Sequence, residues 1–248
     1  MIDRSRPATA VQSVVWVPPL GGTAERLGYL KDVSVPVLFA NLDAAEPDPG
    51  DPFASLSRIV QATAAVGRAR HGVAMCRGAS ALARALLDVP DQFDSAVLIA
   101  PFAFSRARTD AADALAAIAA AAHVGDTAAI EAILLSTMAE PGRSTTAARA
   151  WAIACAHRYL EPATRAILPW LSSATPTGTI DLTTAVRPPT RVLVIGQPGD
   201  AVHPLDVAEE ITVFFPNSTL HIGTGSADIL ARRAELDAVI GDFLAQGS

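Results

Sequence analysis

The sequence is poor in lysine, cysteine and aromatic residues, and these shortages exclude several classes of function. Lys31 is its one lysine and the formal net charge is −6, so it offers no basic patch for a nucleic-acid backbone or an anionic membrane. Its two cysteines, Cys76 and Cys155, are too few for a disulfide framework or a zinc site. No apolar run approaches the roughly 18 residues of a membrane span, and no signal-peptide pattern opens the chain. We therefore expect a cytoplasmic protein that binds neither nucleic acid nor membrane and uses no metal or cofactor.

The residues that are plentiful describe a folded α/β protein. Half of the 248 residues are apolar, enough for the core of one large domain or two small ones. Short β-branched runs alternate with helical patterns, which predicts parallel strands joined by crossover helices on both faces of a sheet. The predicted strands span residues 13–17, 35–40, 71–75, 95–100, 191–195 and 218–222. The predicted helices between and after them span residues 52–66, 78–87, 205–214 and 228–244.

One stretch interrupts this alternation. Between the last strand before residue 101 and the next at residue 191 no strand pattern occurs, and the distance is too long for a simple crossover. Alanine-rich segments there predict three or four helices, at residues 107–122, 127–138, 145–159 and 162–171. We therefore predict an α/β core formed by residues 1–101 and 185–248, with a helical cap inserted over residues 102–184.

The strongest chemical signal is the segment VAMCRGAS at residues 73–80, which predicts a strand that turns directly into a helix. Its tip is Cys76, with the small residues Ala74 and Gly78 two positions away on either side. This is the pattern of a nucleophile elbow, in which a sharp turn leaves room only for small neighbours. The helix N-terminus and Arg77 place positive charge beside the thiol, which favours the reactive thiolate. The alternative is that Cys76 is a buried packing residue.

The order of four segments resembles the α/β-hydrolase superfamily over nearly the whole chain. They are a first strand with its oxyanion turn, the elbow, the strand after the elbow helix, and an acid-delivering strand in the form G-x-x-x-D-x-x-x-P. The segments read VVWVPPLGG (14–22), VAMCRGAS (73–80), FDSAVLIAP (93–101) and VLVIGQPGDAVHP (192–204). The resemblance implies the α/β-hydrolase fold, a mostly parallel wound sheet of about six strands with helices on both faces and a helical cap.

The same resemblance assigns roles to particular residues. It gives Cys76 the position of the nucleophile and Asp200 that of the acid that orients the base. The backbone amides of Leu20 and Arg77 take the positions of the oxyanion hole. Phe102 follows a strand end, where the substrate pocket is expected. Other aromatic residues could line that pocket or pack cap against sheet: Phe104, Trp151, Tyr159 and Trp170.

The general base is missing from its expected position. The family's histidine lies in the loop after the last strand, where this sequence has Ser226, and a hydroxyl accepts no proton near neutral pH. His203, three residues after Asp200, is the candidate substitute, and His221 reaches the rim only if the last strand ends early. The alternative for His203 is a residue that flanks a helix, because Asp200 is too close in sequence to orient it comfortably. The remaining histidines lie at the other end of the sheet or in the cap: His71, His123 and His157.

These features predict an enzyme that acts on an ester, lactone or thioester of a small apolar molecule through acyl-Cys76. A thiolate can accept an acyl group without a base, whereas water attack on acyl-cysteine needs one, so acyl transfer or cyclisation in secondary metabolism is favoured over hydrolysis. Two alternatives stay open: a cyclase, lyase or epimerase with Asp200 as acid or base, and a catalytically inactive binding protein. The expected partner is a small-molecule substrate, free or bound to a carrier protein, and the chain is expected to be a monomer or a homodimer.

Overall fold

The computed structural model describes residues 13–19, 29–30, 35–42, 48, 51–106, 108–171 and 181–246. For residues 109, 110, 112 and 167–171 the backbone alone is described. The strands in this part of the chain are β1 (Val14–Val17), β2 (Val37–Phe39), β3 (His71–Met75), β4 (Ser95–Ile99), β5 (Arg191–Gly196) and β6 (Ser218–Ile222). They form one parallel sheet in the order β2-β1-β3-β4-β5-β6. The predicted sheet is confirmed, and each strand ends within one or two residues of its predicted position.

Both faces of the four central strands, β1, β3, β4 and β5, are buried, whereas the edge strands β2 and β6 are partly exposed. In β4, Ala96 and Leu98 contribute to the apolar core on one face, while Val97 and Ile99 contribute to the core on the other. All of these side chains are fully buried. A strand with two buried faces cannot show the alternation of apolar and polar residues that a half-exposed strand shows.

Five helices of the described chain cover the two faces. They are α1 (Pro52–Gly67), α2 (Arg77–Asp88), α7 (Leu205–Phe214), α8 (Asp228–Ala231) and α9 (Arg233–Ala245). The first three contribute their apolar faces to one core, and α8 and α9 contribute theirs to the other. Helices α1, α2 and α7 agree with the predicted segments to within one residue at each end.

The prediction of one continuous helix over residues 228–244 is wrong. The chain breaks at Arg232, whose φ and ψ of −109° and 32° lie outside the helical region. The short helix α8 is tied to the loop before it, because the Asp228 carboxylate accepts hydrogen bonds from the backbone amides of Thr224 and Gly225. The sequence pattern continued through the break because no glycine or proline marks it.

Between β4 and β5 the chain forms an insertion of helices. They are α3 (Thr109–Val124), α4 (Thr127–Ser136), α5 (Thr146–Tyr159) and α6 (Pro162–Leu171), with a 3₁₀ turn at Gly142–Ser144. These are the four predicted helices, each confirmed to within two residues at its ends. Whether they form a cap that is separate from the core stays a prediction.

Local capping explains where these helices begin and end. The side chain of Asp126 accepts a hydrogen bond of 2.9 Å from Ala129 N at the start of α4, and Thr145 accepts one of 3.1 Å from Ala148 N at the start of α5. Helix α3 stops at Gly125, which has a φ of 77° that glycine adopts without strain. No helix of the described chain is both long enough and apolar enough to cross a membrane.

The segment after α4 attaches the insertion to the loop after β5. Ala139 N donates a hydrogen bond of 2.9 Å to Gly199 O, and Ala201 N donates one of 2.9 Å to Thr137 O. This short antiparallel pairing places the insertion above the carboxyl end of the sheet, beside the loop that contains Asp200.

Candidate active site

Cys76 lies at the tip of the turn between β3 and α2. Its φ of 55° and ψ of −121° put a non-glycine residue in a strained conformation, and it forms the N-cap of α2. Its backbone amide donates a hydrogen bond of 2.9 Å to Ile99 O at the end of the neighbouring strand. The predicted sharp turn is present, and the Cys76 side chain, which is only partly buried, lines a cavity.

Gly78 shows why the turn needs a small residue after the cysteine. A Cβ atom at Gly78 would lie 2.3 Å from Pro18 O and 2.5 Å from Val17 O, both backbone atoms at the end of β1. No side chain fits at that distance, so the first turn of α2 can approach β1 closely only with glycine at this position.

Asp200 and His203 lie together in the loop after β5. Asp200 Oδ1 accepts hydrogen bonds from the backbone amides of Val202 at 2.9 Å and His203 at 3.0 Å. Asp200 Oδ2 accepts hydrogen bonds from His203 Nδ1 at 2.9 Å and from Gln197 Nε2 at 2.7 Å. Both side chains are buried, and the two carboxylate oxygens have four donors between them.

These contacts correct one argument from the sequence. The short separation of three residues does not prevent Asp200 from orienting His203, because the backbone curls around the carboxylate and brings the imidazole back to it. Cys76 and His203 line the same cavity, and the charge of Cys76 raises the pKa of His203. The site therefore brings Cys76, His203 and Asp200 together, with a hydrogen bond between the last two.

The pKa values of two groups reflect this arrangement. Burial lowers the pKa of His203, but the negative charges of Cys76 and Asp200 and the hydrogen bond with Asp200 raise it to about 10. Burial raises the pKa of the Asp200 carboxyl, but the charge of His203 and its hydrogen bonds outweigh this and hold the pKa below its usual range. The geometry thus favours an imidazolium beside a carboxylate.

Ser226, which stands where the sequence resemblance led us to expect a histidine, has a packing role. Ser226 is buried and donates a hydrogen bond of 2.9 Å to Ala139 O in the insertion. A Cβ atom at Gly142 would lie only 2.4 Å from the Ser226 hydroxyl oxygen, so the insertion approaches this loop too closely for a larger side chain. The loop after β6 therefore packs against the insertion.

The other histidines lie away from Cys76. His221 pairs with Ile195 in register, and β6 is three strands from β3, a distance of roughly 14 Å at the usual strand spacing. His71 begins β3 at the opposite end of the strand, where its Nδ1 lies 2.8 Å from the Ser95 hydroxyl. His123 and His157 are exposed on insertion helices.

Arg108 supports the loop after β5, and the sequence analysis missed it. Its buried guanidinium donates hydrogen bonds to three carbonyl oxygens: Phe102 at 2.9 Å, Ala201 at 2.6 Å and Val202 at 2.8 Å. Gln197, also missed, positions Asp200 and in turn accepts a hydrogen bond of 3.3 Å from Ile229 N. Nothing in the sequence pattern marks Arg108, whereas Gln197 could have been noticed as an amide at a strand end near Asp200.

The cavity beside Cys76 encloses about 760 Å³ of space free of atoms, part of it open to solvent. The carboxyl ends of β3 and β5 form its floor and the insertion forms its walls. Its lining is mainly apolar, with Leu115, Ile118 and Leu134 from the insertion. Trp151 and Tyr159 also line it, as the sequence suggested, and so does Cys155. Burial raises the pKa of the Cys155 thiol to about 11, so this second cysteine is unreactive.

Phe102 does not line this cavity, and the expectation that it contacts substrate directly is corrected. It is fully buried beneath the site, with Arg77 Cζ 4.6 Å from its ring centroid on one side and Arg108 Cζ 5.5 Å away. Its ring also meets that of His203 edge-on, with centroids 6.5 Å apart. The Phe102 ring therefore packs against the guanidinium groups of Arg77 and Arg108 and not against the cavity.

Three further predicted pocket residues have different outcomes. Phe104 packs against Phe214 and Phe215 in the core on the other face of the sheet, so its placement in the pocket is wrong. Leu20 and the side chain of Trp170 lie outside the described residues. Pro19, directly before Leu20, lines the cavity. Among the described residues, no three His, Cys, Asp or Glu side chains come together as a metal site.

No protein-family model matches the sequence, and no curated protein does. Solved structures match nearly the whole chain. An enol-lactonase from Burkholderia xenovorans has a TM-score of 0.72 at 12% identity, covering 97% of this chain and 94% of that one. An α/β hydrolase enzyme from a Medee basin deep-sea metagenome library has a TM-score of 0.72 at 12% identity, covering 99% and 91%. The 2-hydroxy-6-oxo-6-phenylhexa-2,4-dienoate hydrolase of a Rhodococcus species has a TM-score of 0.68 at 16% identity, covering 94% and 90%.

These likenesses, together with the parallel sheet and the elbow at the end of β3, show that the chain has the α/β-hydrolase fold. At these identities they define the fold alone. What the protein does has to be argued from its own site.

Proposed function

We propose that this protein is an enzyme that cleaves or transfers the acyl group of an ester, lactone or thioester through an acyl-Cys76 intermediate. The observation that carries the proposal is that Cys76, His203 and Asp200 line one cavity, with the His203 ring hydrogen-bonded to Asp200. Two structural neighbours, an enol-lactonase and a dienoate hydrolase, are consistent with this reaction class.

Acylation begins with attack of the Cys76 thiolate on the carbonyl carbon of the substrate. The carbon–sulfur bond forms as the carbonyl π electrons move onto oxygen, where the backbone amides of Arg77 and Leu20 are the proposed donors. When the carbonyl reforms, the bond to the leaving oxygen or sulfur breaks. The leaving group takes the proton of the His203 imidazolium, which leaves acyl-Cys76 and a neutral imidazole.

The base for deacylation is the neutral imidazole of His203 that acylation has formed. Once Cys76 is acylated its negative charge is gone, so one of the two charges that raise the pKa of His203 no longer acts. The neutral imidazole takes a proton from water, or from a nucleophile of the substrate itself, as that nucleophile attacks the thioester carbon. When the carbonyl reforms, the carbon–sulfur bond breaks, which releases the product and restores the Cys76 thiolate beside the His203 imidazolium. With His203 in place, hydrolysis is supported as well as the acyl transfer or cyclisation that the sequence favoured.

The alternative with Asp200 as the acid or base on substrate has less support. Its two oxygens already accept hydrogen bonds from four donors, one of which is the ring of His203. A group in this position orients the imidazole and stabilises its charge. The site gives Asp200 a positioning role.

The test is direct detection of the acyl-enzyme. Mixing the protein with short-chain and medium-chain 4-nitrophenyl esters and the matching phenyl thioesters should give a stoichiometric burst of product and an acyl mass adduct that maps to Cys76. We expect Cys76→Ala to abolish burst and adduct and to lower kcat/KM by about a thousandfold or more. Cys155→Ala is the matched control and should retain both. Turnover by Cys76→Ala at the rate of the unaltered protein, or an adduct on another residue, would overturn the proposal, and the absence of any reaction would favour the binding protein.

A further inference from the structure

One charged side chain in the cavity lacks a partner of opposite charge. Arg77 is 5% exposed, and its Nε and Nη2 atoms have no hydrogen-bond partner. Arg77 and Tyr159 line the same cavity, and no ion pair joins the Arg77 guanidinium to a carboxylate of the described residues. A buried cation whose donors are unsatisfied is costly, so its presence needs an explanation.

Other buried arginines of the described chain are satisfied within the protein. Arg84 pairs with Asp51 at 2.9 Å and with Asp88 at 2.8 Å. Arg108 donates to three backbone carbonyls in the loop after β5. The fold therefore supplies partners to buried guanidinium groups with a structural role, and Arg77 differs from them.

The two unsatisfied nitrogens of Arg77 are those that a carboxylate bridges. Arg70 of the same chain shows the arrangement, because its Nε and Nη2 donate to the two carboxylate oxygens of Asp94 at 3.1 and 2.6 Å. Such a pair of parallel hydrogen bonds matches the spacing of the oxygens in a carboxylate. In Arg77 the same two atoms, Nε and Nη2, have no partner. The guanidinium carbon lies 4.6 Å from the centroid of the Phe102 ring.

The surroundings of Arg77 favour an anion. Arg77 and Arg158 both line the cavity, and neither is paired with a carboxylate of the described chain. The cavity's acidic side chain among the described residues, Asp200, already accepts hydrogen bonds from four donors. The remaining lining is largely apolar, and an apolar lining strengthens the attraction between a cation and a bound anion.

We propose that Arg77 binds a carboxylate of the substrate, so that the preferred ester, lactone or thioester is one that carries a free carboxylate. That the bound molecule also reacts with Cys76 rests on the proposed function. That Arg77 binds a carboxylate does not. Arg77 is then a specificity-determining residue whose side chain binds the substrate, in addition to the backbone amide proposed for the oxyanion hole.

The test measures binding without turnover. Straight-chain alkyl carboxylates, and the neutral carboxamides of the same lengths, are used to protect Cys76 from alkylation by iodoacetamide, followed by intact mass. In the unaltered protein we expect the best carboxylate to protect with an apparent dissociation constant at least about tenfold lower than its amide. Arg77→Met should abolish this preference, and Arg149→Met, an arginine control on the exposed surface of α5 outside the cavity, should retain it.

A second measurement separates a binding role from a structural one. Because methionine removes a buried unpaired charge and keeps most of the side-chain length, Arg77→Met should melt at or above the temperature of the unaltered protein. The carboxylates should raise the melting temperature of the unaltered protein and leave that of Arg77→Met unchanged. Equal protection by carboxylates and amides, or a preference that survives in Arg77→Met, would overturn the inference. Failure of the proposed function would instead appear as the absence of an acyl-Cys76 adduct, whatever the protection experiment shows.

Discussion

At the scale of single residues, the site shows how one loop can supply both the acid and the candidate base. Asp200 and His203 are three residues apart, and the carboxylate binds the backbone as well as the ring of His203. The orientation of the imidazole therefore depends on one local turn, and not on the relative positions of two separate loops. Arg108 fixes that turn from below through the carbonyls of Ala201 and Val202.

The first prediction concerns the titration of His203. Its pKa of about 10 lies above the ordinary value of 6.5, so the imidazole of the resting protein should stay protonated well above neutral pH. Cys76→Ala removes one of the two negative charges that raise the pKa of His203, and Asp200→Asn removes the other, so each should lower the pKa. Imidazole ¹⁵N shifts followed against pH by NMR measure it, with the exposed His157 as the internal control. A midpoint near 6.5 in the unaltered protein, or one that Cys76→Ala leaves in place, would contradict the thiolate–imidazolium pair.

At the scale of elements, the elbow depends on how closely α2 approaches β1. The first turn of the helix lies against the backbone carbonyls of Val17 and Pro18, and Gly78 is the point of contact. The same approach brings the turn after β1 toward Cys76, since Pro19 lines the cavity. A change in this contact would therefore affect both stability and the position of the proposed oxyanion donors.

The second prediction tests that contact. Gly78→Ala places a Cβ atom 2.3 Å from a backbone oxygen that cannot rotate away, so the helix and the strand must separate. We expect a loss of about 1–3 kcal/mol in the free energy of unfolding, measured by urea denaturation. The control is Gly241→Ala in α9, where nothing lies within 4 Å of the added atom, and where alanine should add about 0.5–1 kcal/mol through helix propensity. Equal stability of Gly78→Ala and the unaltered protein would show that the turn relaxes without cost.

The elements were more predictable from the sequence than the contacts within the site. The central strands could be located because both of their faces are buried, so that β4 and β5 contain long apolar runs. The break at Arg232 could not, because it depends on how Asp228 binds the preceding loop and not on a helix-breaking residue. His203 could be placed at the correct end of the sheet, but the turn that points its ring at Asp200 arises from backbone hydrogen bonds that no residue type specifies.

At the scale of the whole molecule, two kinds of core hold the chain together. The sheet is covered by two large clusters, in which Val, Leu and Ile side chains pack together with many alanines. The insertion has a much smaller cluster of its own. A small cluster buries little apolar area, and many residues of α3 to α5 are exposed. We therefore infer that the insertion opens at a lower free energy than the sheet.

The last prediction is that the insertion opens while the sheet stays folded. Hydrogen exchange followed by mass spectrometry should show faster exchange in α3 to α5 than in β3 to β5. Leu98→Ala, in the fully buried centre of β4, should lower the free energy of unfolding by about 2–5 kcal/mol and speed exchange in the strands, but not in the insertion, because the state in which only the insertion is open keeps the contacts of Leu98. Ile130→Ala, in the cluster of the insertion, should speed exchange in both, because every open state lacks the contacts of Ile130. If Leu98→Ala accelerates the insertion as much as the strands, the molecule opens as a single unit, and access to Cys76 cannot depend on separate movement of the insertion.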